Sequence, residues 1–231
     1  MITAVLTIDD IASKNTPAIV DYLREKDIQA VMFAVAEWAE ANYEEAVYTV
    51  KNGMILGNHS ATHPSFSQIS LEEGVREIER CEETLARIYR DAGVERVYRP
   101  FRFPYGDKGG ANKAALQQYL KEQGFNKLCD TQIPYPWWKQ TGLDKDIDTL
   151  WTYDFEEYRI RQGSDFTAED AMRKIHRTDA GVSAPLLADG GSHILLLHAH
   201  DETDAMFPGY YKAFIEELLE NGVTFTRPSF L

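Results

Sequence analysis

Two rhythms of apolar residues alternate along the chain. Short apolar, often β-branched runs read as strands at 2–8, 28–35, 54–56, 97–101, 125–129, 148–153, 193–197 and 223–226, with the length and composition of strands covered on both faces. Between them, spacings of three and four predict helices. One opens at Thr16-Pro17, a cap followed by proline, and runs to about Lys26; a second runs from about Trp38 to Asn52 and stops at Gly53. A longer one begins at Ser70, and Leu71, Val75, Ile78, Cys81, Leu85 and Ile88 recur on one face of it. Further helices are predicted from Asn112 to Gln123, from Thr167 to Thr178, and through Leu219. Ser70 with Glu73, and Thr167 with Asp170, have capping-box spacing. A strand–helix alternation without a break in composition predicts one α/β domain over residues 1–231, parallel-stranded, and a barrel rather than an open sheet.

Composition adds bounds. The 231 residues are 44% hydrophobic and 26% charged, enough apolar material for a sizeable core. A formal charge of −13 offers no basic face to a phosphate backbone or an anionic bilayer, so neither nucleic acid nor membrane is an expected partner. Met1 runs straight into the apolar Ile2-Thr3-Ala4-Val5-Leu6, with no basic n-region and no 18-residue apolar run. The expected location is therefore cytoplasmic if the chain is full length, and secreted or periplasmic if an export signal has been removed. Cys81 and Cys129 are expected to be buried free thiols. No pattern specifies an oligomeric state.

The chemistry-bearing residues fall where predicted strands stop, which is where barrels of this kind place catalytic groups. Asp9-Asp10 follows the first strand, His59 and His63 the third, Arg102 the fourth, Asp154 and Glu157 the sixth, and His198 the seventh. His59 and His63, four apart, can close a chelate on one turn or tight loop. In the zincin pattern a glutamate follows the first histidine; here Ser60 does, so a general base and a third ligand must come from elsewhere. Adjacent strand residues point to opposite faces, but a turn at the strand end lets one carboxylate bind a cation while the other reaches the attacking water. Asp10 is the candidate ligand and Asp9 the candidate base.

Thr7-Ile8-Asp9-Asp10, His59-Ser60-Ala61-Thr62-His63, Arg102-Phe103-Pro104-Tyr105-Gly106 and Leu196-Leu197-His198 occur in the order and approximate spacing of the NodB-like polysaccharide deacetylases, carbohydrate esterase family 4, which the chain resembles from residue 2 to about 226. The resemblance implies a distorted (β/α)7 barrel and metal-dependent removal of acetyl groups from N-acetylated sugars, oligosaccharides or polysaccharides. It assigns Asp10, His59 and His63 to a divalent ion, zinc foremost, with cobalt, nickel or manganese as alternatives. It makes Asp9 the base, Arg102 the partner that keeps Asp9 ionised, and the Tyr105 backbone N–H a donor to the developing oxyanion. His198 becomes the acid that protonates the leaving amine, with His200 a competitor for that role. Asp154-Phe155-Glu156-Glu157-Tyr158 stands where the family has Asp-x-x-Asp-Trp, so Glu157 becomes the acidic partner of His198 in a divergent motif. Ile11 stands where a glycine commonly follows the two aspartates. Tyr135-Pro136-Trp137-Trp138 reads as an aromatic loop that either stacks on sugar rings or packs on its own domain. Alternative activities are hydrolysis of a small amide or cyclic ureide such as allantoin, and carbohydrate binding without catalysis.

Overall fold

The computed structural model describes residues 1–179 and 184–231. Its order is β1 (Ile2–Ile11), α1 (Thr16–Glu25), β2 (Val31–Ala34), α2 (Ala36–Ala41), α3 (Tyr43–Lys51), β3 (Ile55–Asn58), α4 (Leu71–Ala92), α5 (Lys113–Glu122), α6 (Pro136–Gln140), β4 (Tyr153–Asp154), α7 (Ala168–Ile175), β5 (Ser192–His198), α8 (Asp201–Met206), α9 (Tyr210–Glu220) and β6 (Val223–Phe225). The strands run parallel in the order β3-β2-β1-β5-β4, with β6 beside the start of β1. The wall continues past β3 through a bridge from Asn58 to Phe101. The Phe101 carbonyl accepts from Thr149 N at 2.8 Å, and the chain from Thr149 leads into β4 beside β5. The circuit gives a distorted (β/α) barrel.

Register explains which side chains reach the mouth. Val5 pairs with Ile194, Thr7 with Leu196 and Asp9 with His198. Parallel partners share a face, so this row ascends the barrel interior, whereas Leu6, Ile8, Leu195 and Leu197 join the core under the helices. Val5, Val31, Phe33 and Ile194 close the interior below the site with Ile133 and Trp138. α4 carries its predicted capping box and ends at Gly93, whose φ of 68° is the left-handed stop.

Several sequence expectations change. The runs at 97–101 and 125–129 contribute only the bridging residues Phe101 and Leu128. Pro100 removes a donor from the first, and Asn126 N donates to the Arg99 carbonyl in the second. The run at 148–153 narrows to β4. The helix expected over 38–52 divides at Asn42, whose side-chain amide donates to the Ala12 and Trp38 carbonyls. Cys81 is buried and Cys129 only half-buried; both are free. The aromatic segment packs on its own domain: Trp138 is buried and donates to Asp130, and the Tyr135 hydroxyl meets His193.

Candidate metal centre and active site

The two aspartates converge because β1 is bulged. Its pairing with β2 slips between Ile8 and Ile11, and Asp10 sits at φ 66°. A bulge places two consecutive residues opposite one, so the alternation that would send Asp10 away from Asp9 is broken at this point. Both carboxylates are buried at the barrel mouth.

His59 follows β3 directly, and its backbone N donates to the Ala34 carbonyl. The segment to His63 is a tight loop rather than a helix turn. Ser60 and His63 both lie in the left-handed region, at φ 71° and 61°. Asn58 Oδ1 accepts from Ser60 N, Ser60 Oγ accepts from His63 N, and Glu77 of α4 accepts from Ala61 N and Thr62 N. His59 Nδ1–H donates to the Arg102 carbonyl at 2.8 Å, which fixes the ring with Nε2 turned toward the two aspartates. Burial, reinforced by neighbouring His59, brings His63 down to about 4, leaving it neutral and able to coordinate at pH 7.

His59 Nε2 lies 3.7 Å and His63 Nε2 3.5 Å from Asp10 Oδ1. Ligands about 2.0–2.1 Å from a tetrahedral ion stand about 3.3 Å apart, so the three atoms need close only slightly. Asp10 Oδ1 is also buried without a hydrogen-bond partner among the described residues. A buried carboxylate oxygen facing two imidazole nitrogens is a ligand set that fits a divalent cation. Burial alone would raise the Asp10 carboxyl, but the hydrogen bond from His200 and the charges of His198 and His59 hold it below the usual carboxylate range.

Asp9 uses its two oxygens differently. Oδ1 accepts from Arg102 Nη1 at 2.7 Å, while Oδ2 lies 3.4 Å from His59 Nε2. Arg102 is fully buried; its Nε donates to Thr149 O, its Nη1 also to Thr7 Oγ1, and its guanidinium lies 4.5 Å from the Phe33 ring centroid. Across the mouth, His198 Nδ1 is 3.1 Å from Glu157 Oε1, and Glu157 has no exposed surface. Burial alone would lower His198, but the charge and hydrogen bond of Glu157 outweigh it and raise the imidazole to about 10. A cavity of ≈ 230 Å³ lies between Asp9 and His198, walled by Tyr105, Trp151, Tyr158 and Leu196. Tyr105, at φ 58° after Pro104, sets its ring against His63, and its backbone N–H has no partner among the described residues.

Every residue expected at the site is therefore brought to one mouth. His200 is brought there too, but its Nε2 is 2.6 Å from Asp10 Oδ2. The sequence marks neither Trp151 nor Glu77, and reads Tyr210 only as packing on the last helix, whereas its hydroxyl donates to the His198 carbonyl. Trp151 had a signal, since it lies in a predicted strand just before Asp154. Glu77 and Tyr210 sit in helices where nothing local sets them apart.

The class so defined is an α/β barrel whose carboxyl mouth carries a group able to hold a divalent cation. Residues 2–127 match the polysaccharide deacetylase family model, and the chain belongs to that family. It is 34% identical over 144 residues to a peptidoglycan-N-acetylglucosamine deacetylase of Bacillus cereus, a match covering 60% of this chain and 47% of that protein. The matched stretch is thus under half the length of that relative. The fold is shared with the chitin deacetylase of Colletotrichum lindemuthianum, at TM-score 0.65 and 19% identity over 97% of this chain and 84% of that one. It is equally shared with a CE4 family pseudoenzyme of Bacillus anthracis, at TM-score 0.66 and 17% identity over 96% of this chain and 62% of that one. Among the described residues no helix is long and apolar enough to cross a membrane.

Proposed function

We propose that the chain is a metal-dependent deacetylase that cleaves the acetamide of an N-acetylated sugar, oligosaccharide or polysaccharide. One observation carries the reading: a base held by a buried arginine and a histidine held protonated by a buried glutamate face each other across a cavity beside the Asp10, His59 and His63 group. Zinc is the cation proposed there, and once bound it would supply the Lewis acidity that activates water and polarises the acetyl carbonyl.

The chain's own residues do the rest. Asp9 Oδ2 takes a proton from the attacking water while Arg102 keeps the other oxygen aimed. The Tyr105 backbone N–H donates to the carbonyl oxygen as charge gathers on it. His198 gives its proton to the leaving nitrogen, the C–N bond breaks, and acetate and a free amine result. Leu196 and Trp151 offer the acetyl methyl an apolar wall. The fold is common to a pseudoenzyme, so fold alone does not imply turnover; the complete base and acid pairs support it. A cell-wall substrate would require an exported protein.

The test is acetate release from chitooligosaccharides and peptidoglycan fragments beside a panel of cyclic ureides, using metal-stripped protein reloaded with zinc, cobalt, nickel or manganese. Activity should vanish on stripping and return on reloading, and Asp9→Asn should lower kcat by about 10²–10⁴-fold. Turnover of ureides alone, or full activity in Asp9→Asn, would overturn the reading.

A further inference from the structure

We propose that His200 is a positioning residue for the metal centre: it holds the Asp10 carboxylate in the rotation that presents Oδ1 to His59 and His63. The proposal rests on the metal-dependent reading above. It also separates His200 from the acid role for which the sequence makes it a competitor.

The two oxygens of Asp10 have unequal surroundings. Oδ2 is 2.6 Å from His200 Nε2, a strong charge-assisted contact, whereas Oδ1 is buried and has no partner among the described residues. A carboxylate turns easily about its terminal torsion. With Oδ2 held by a donor, only Oδ1 is offered toward the two imidazoles, 3.5 and 3.7 Å away. The contact thus converts a freely turning carboxylate into a directed single-oxygen ligand.

His200 can do this because its own backbone is fixed to the same bulge. Ala199 N donates to the Asp9 carbonyl, one residue before His200. His200 is the extended residue that opens α8, and its carbonyl accepts from Asp204 N. The next residue, Asp201, accepts from Lys14 N and Asn15 N, tying α8 to the loop that leaves β1. His198 and His200 stack with centroids 5.4 Å apart yet face different carboxylates, Glu157 and Asp10. Proton delivery and ligand aiming are divided between two histidines on one stretch of chain.

The experiment measures zinc affinity of the full chain by competition with a chromophoric chelator, alongside the absorption spectrum of the cobalt-substituted protein, neither of which depends on turnover. His200→Ala should weaken zinc binding by about 10–100-fold and alter the cobalt spectrum. Turnover lost at limiting zinc should be regained at excess zinc. His200→Gln keeps a side-chain N–H and should recover most of the affinity, and circular dichroism of both variants checks that they fold. Unchanged affinity with turnover lost at every zinc concentration would overturn the proposal and make His200 a proton donor. Equal losses in His200→Gln and His200→Ala would also overturn it. Failure of the unaltered chain to bind zinc would overturn the metal centre itself, an outcome distinct from either.

Discussion

Arg102 shows how much of the site depends on a single side chain. It is fully buried, and its guanidinium spreads bonds to Thr149, Thr7 and Asp9 while lying on the Phe33 ring. A lysine brings one point charge and cannot reproduce that fork. Removing the cation leaves the Asp9 carboxylate buried without its partner, so Arg102→Met should cost about 3–5 kcal/mol in urea unfolding, and Arg102→Lys should restore only part of it. Glu157 plays the matching role for His198: against the lowering effect of burial it is the largest cause, ahead of the charges of Asp10 and Asp154, of the rise from 6.5 to about 10. A raised histidine contributes stability in full below its unfolded value of 6.5, and that contribution is lost as pH rises through about 10. The protonated form is also the one a general acid needs. In Glu157→Gln the alkaline limb of kcat/KM should therefore move from near pH 10 toward 6.5, and an unmoved limb would show that another group supplies the proton.

At the scale of the elements, β1 and β3 position the two aspartates and His59, and both depend on features that local sequence only half reveals. Asp9 and Asp10 are legible as a strand-end pair because polar residues break an apolar run. The bulge that turns both inward is a slip against β2, a property of pairing between segments. His200 is visible as a second histidine, but its hydrogen bond to Asp10 exists only once that bulge has formed. The Trp137-Trp138 pattern looks the same whether the rings face a sugar or the barrel floor, and burial decided for the floor. Gly57 in β3 has a role that only packing exposes. A Cβ there would lie 2.9 Å from the Phe33 ring and 2.9 Å from Pro100 Cγ, too close for either to tolerate without moving. Phe33 supports the Arg102 guanidinium and His59 begins two residues later, so the strain passes directly to the site. Gly57→Ala should cost about 1–3 kcal/mol by urea unfolding and should also weaken zinc binding. Loss of stability with metal affinity intact would mean that β3 yields without shifting His59.

For the whole molecule the governing quantity is the charge of −13, against which any charged ligand must approach the mouth. Asp201 and Glu202 stand exposed at a second cavity that adjoins the site through Tyr158 and Asp10, so acid flanks the approach on that side. The ion pairs of the proposed mechanism are shielded differently: Asp9, Arg102 and Glu157 are buried, where added salt does little to their interactions. Salt should therefore act on substrate capture and leave the chemical step alone. Screening shortens from about 30 Å at 0.01 M to about 8 Å at 0.15 M ionic strength. Over that range KM for an anionic peptidoglycan fragment should fall several-fold, KM for a neutral chitooligosaccharide should hold within about twofold, and KM for a partly deacetylated, cationic oligomer should rise. The kcat values of all three should stay nearly constant. Steady-state kinetics at the two ionic strengths decides the matter: a common salt response would place the charge effect on the protein rather than the encounter. A salt-sensitive kcat would mean that the buried pairs at the mouth are open to solvent during turnover.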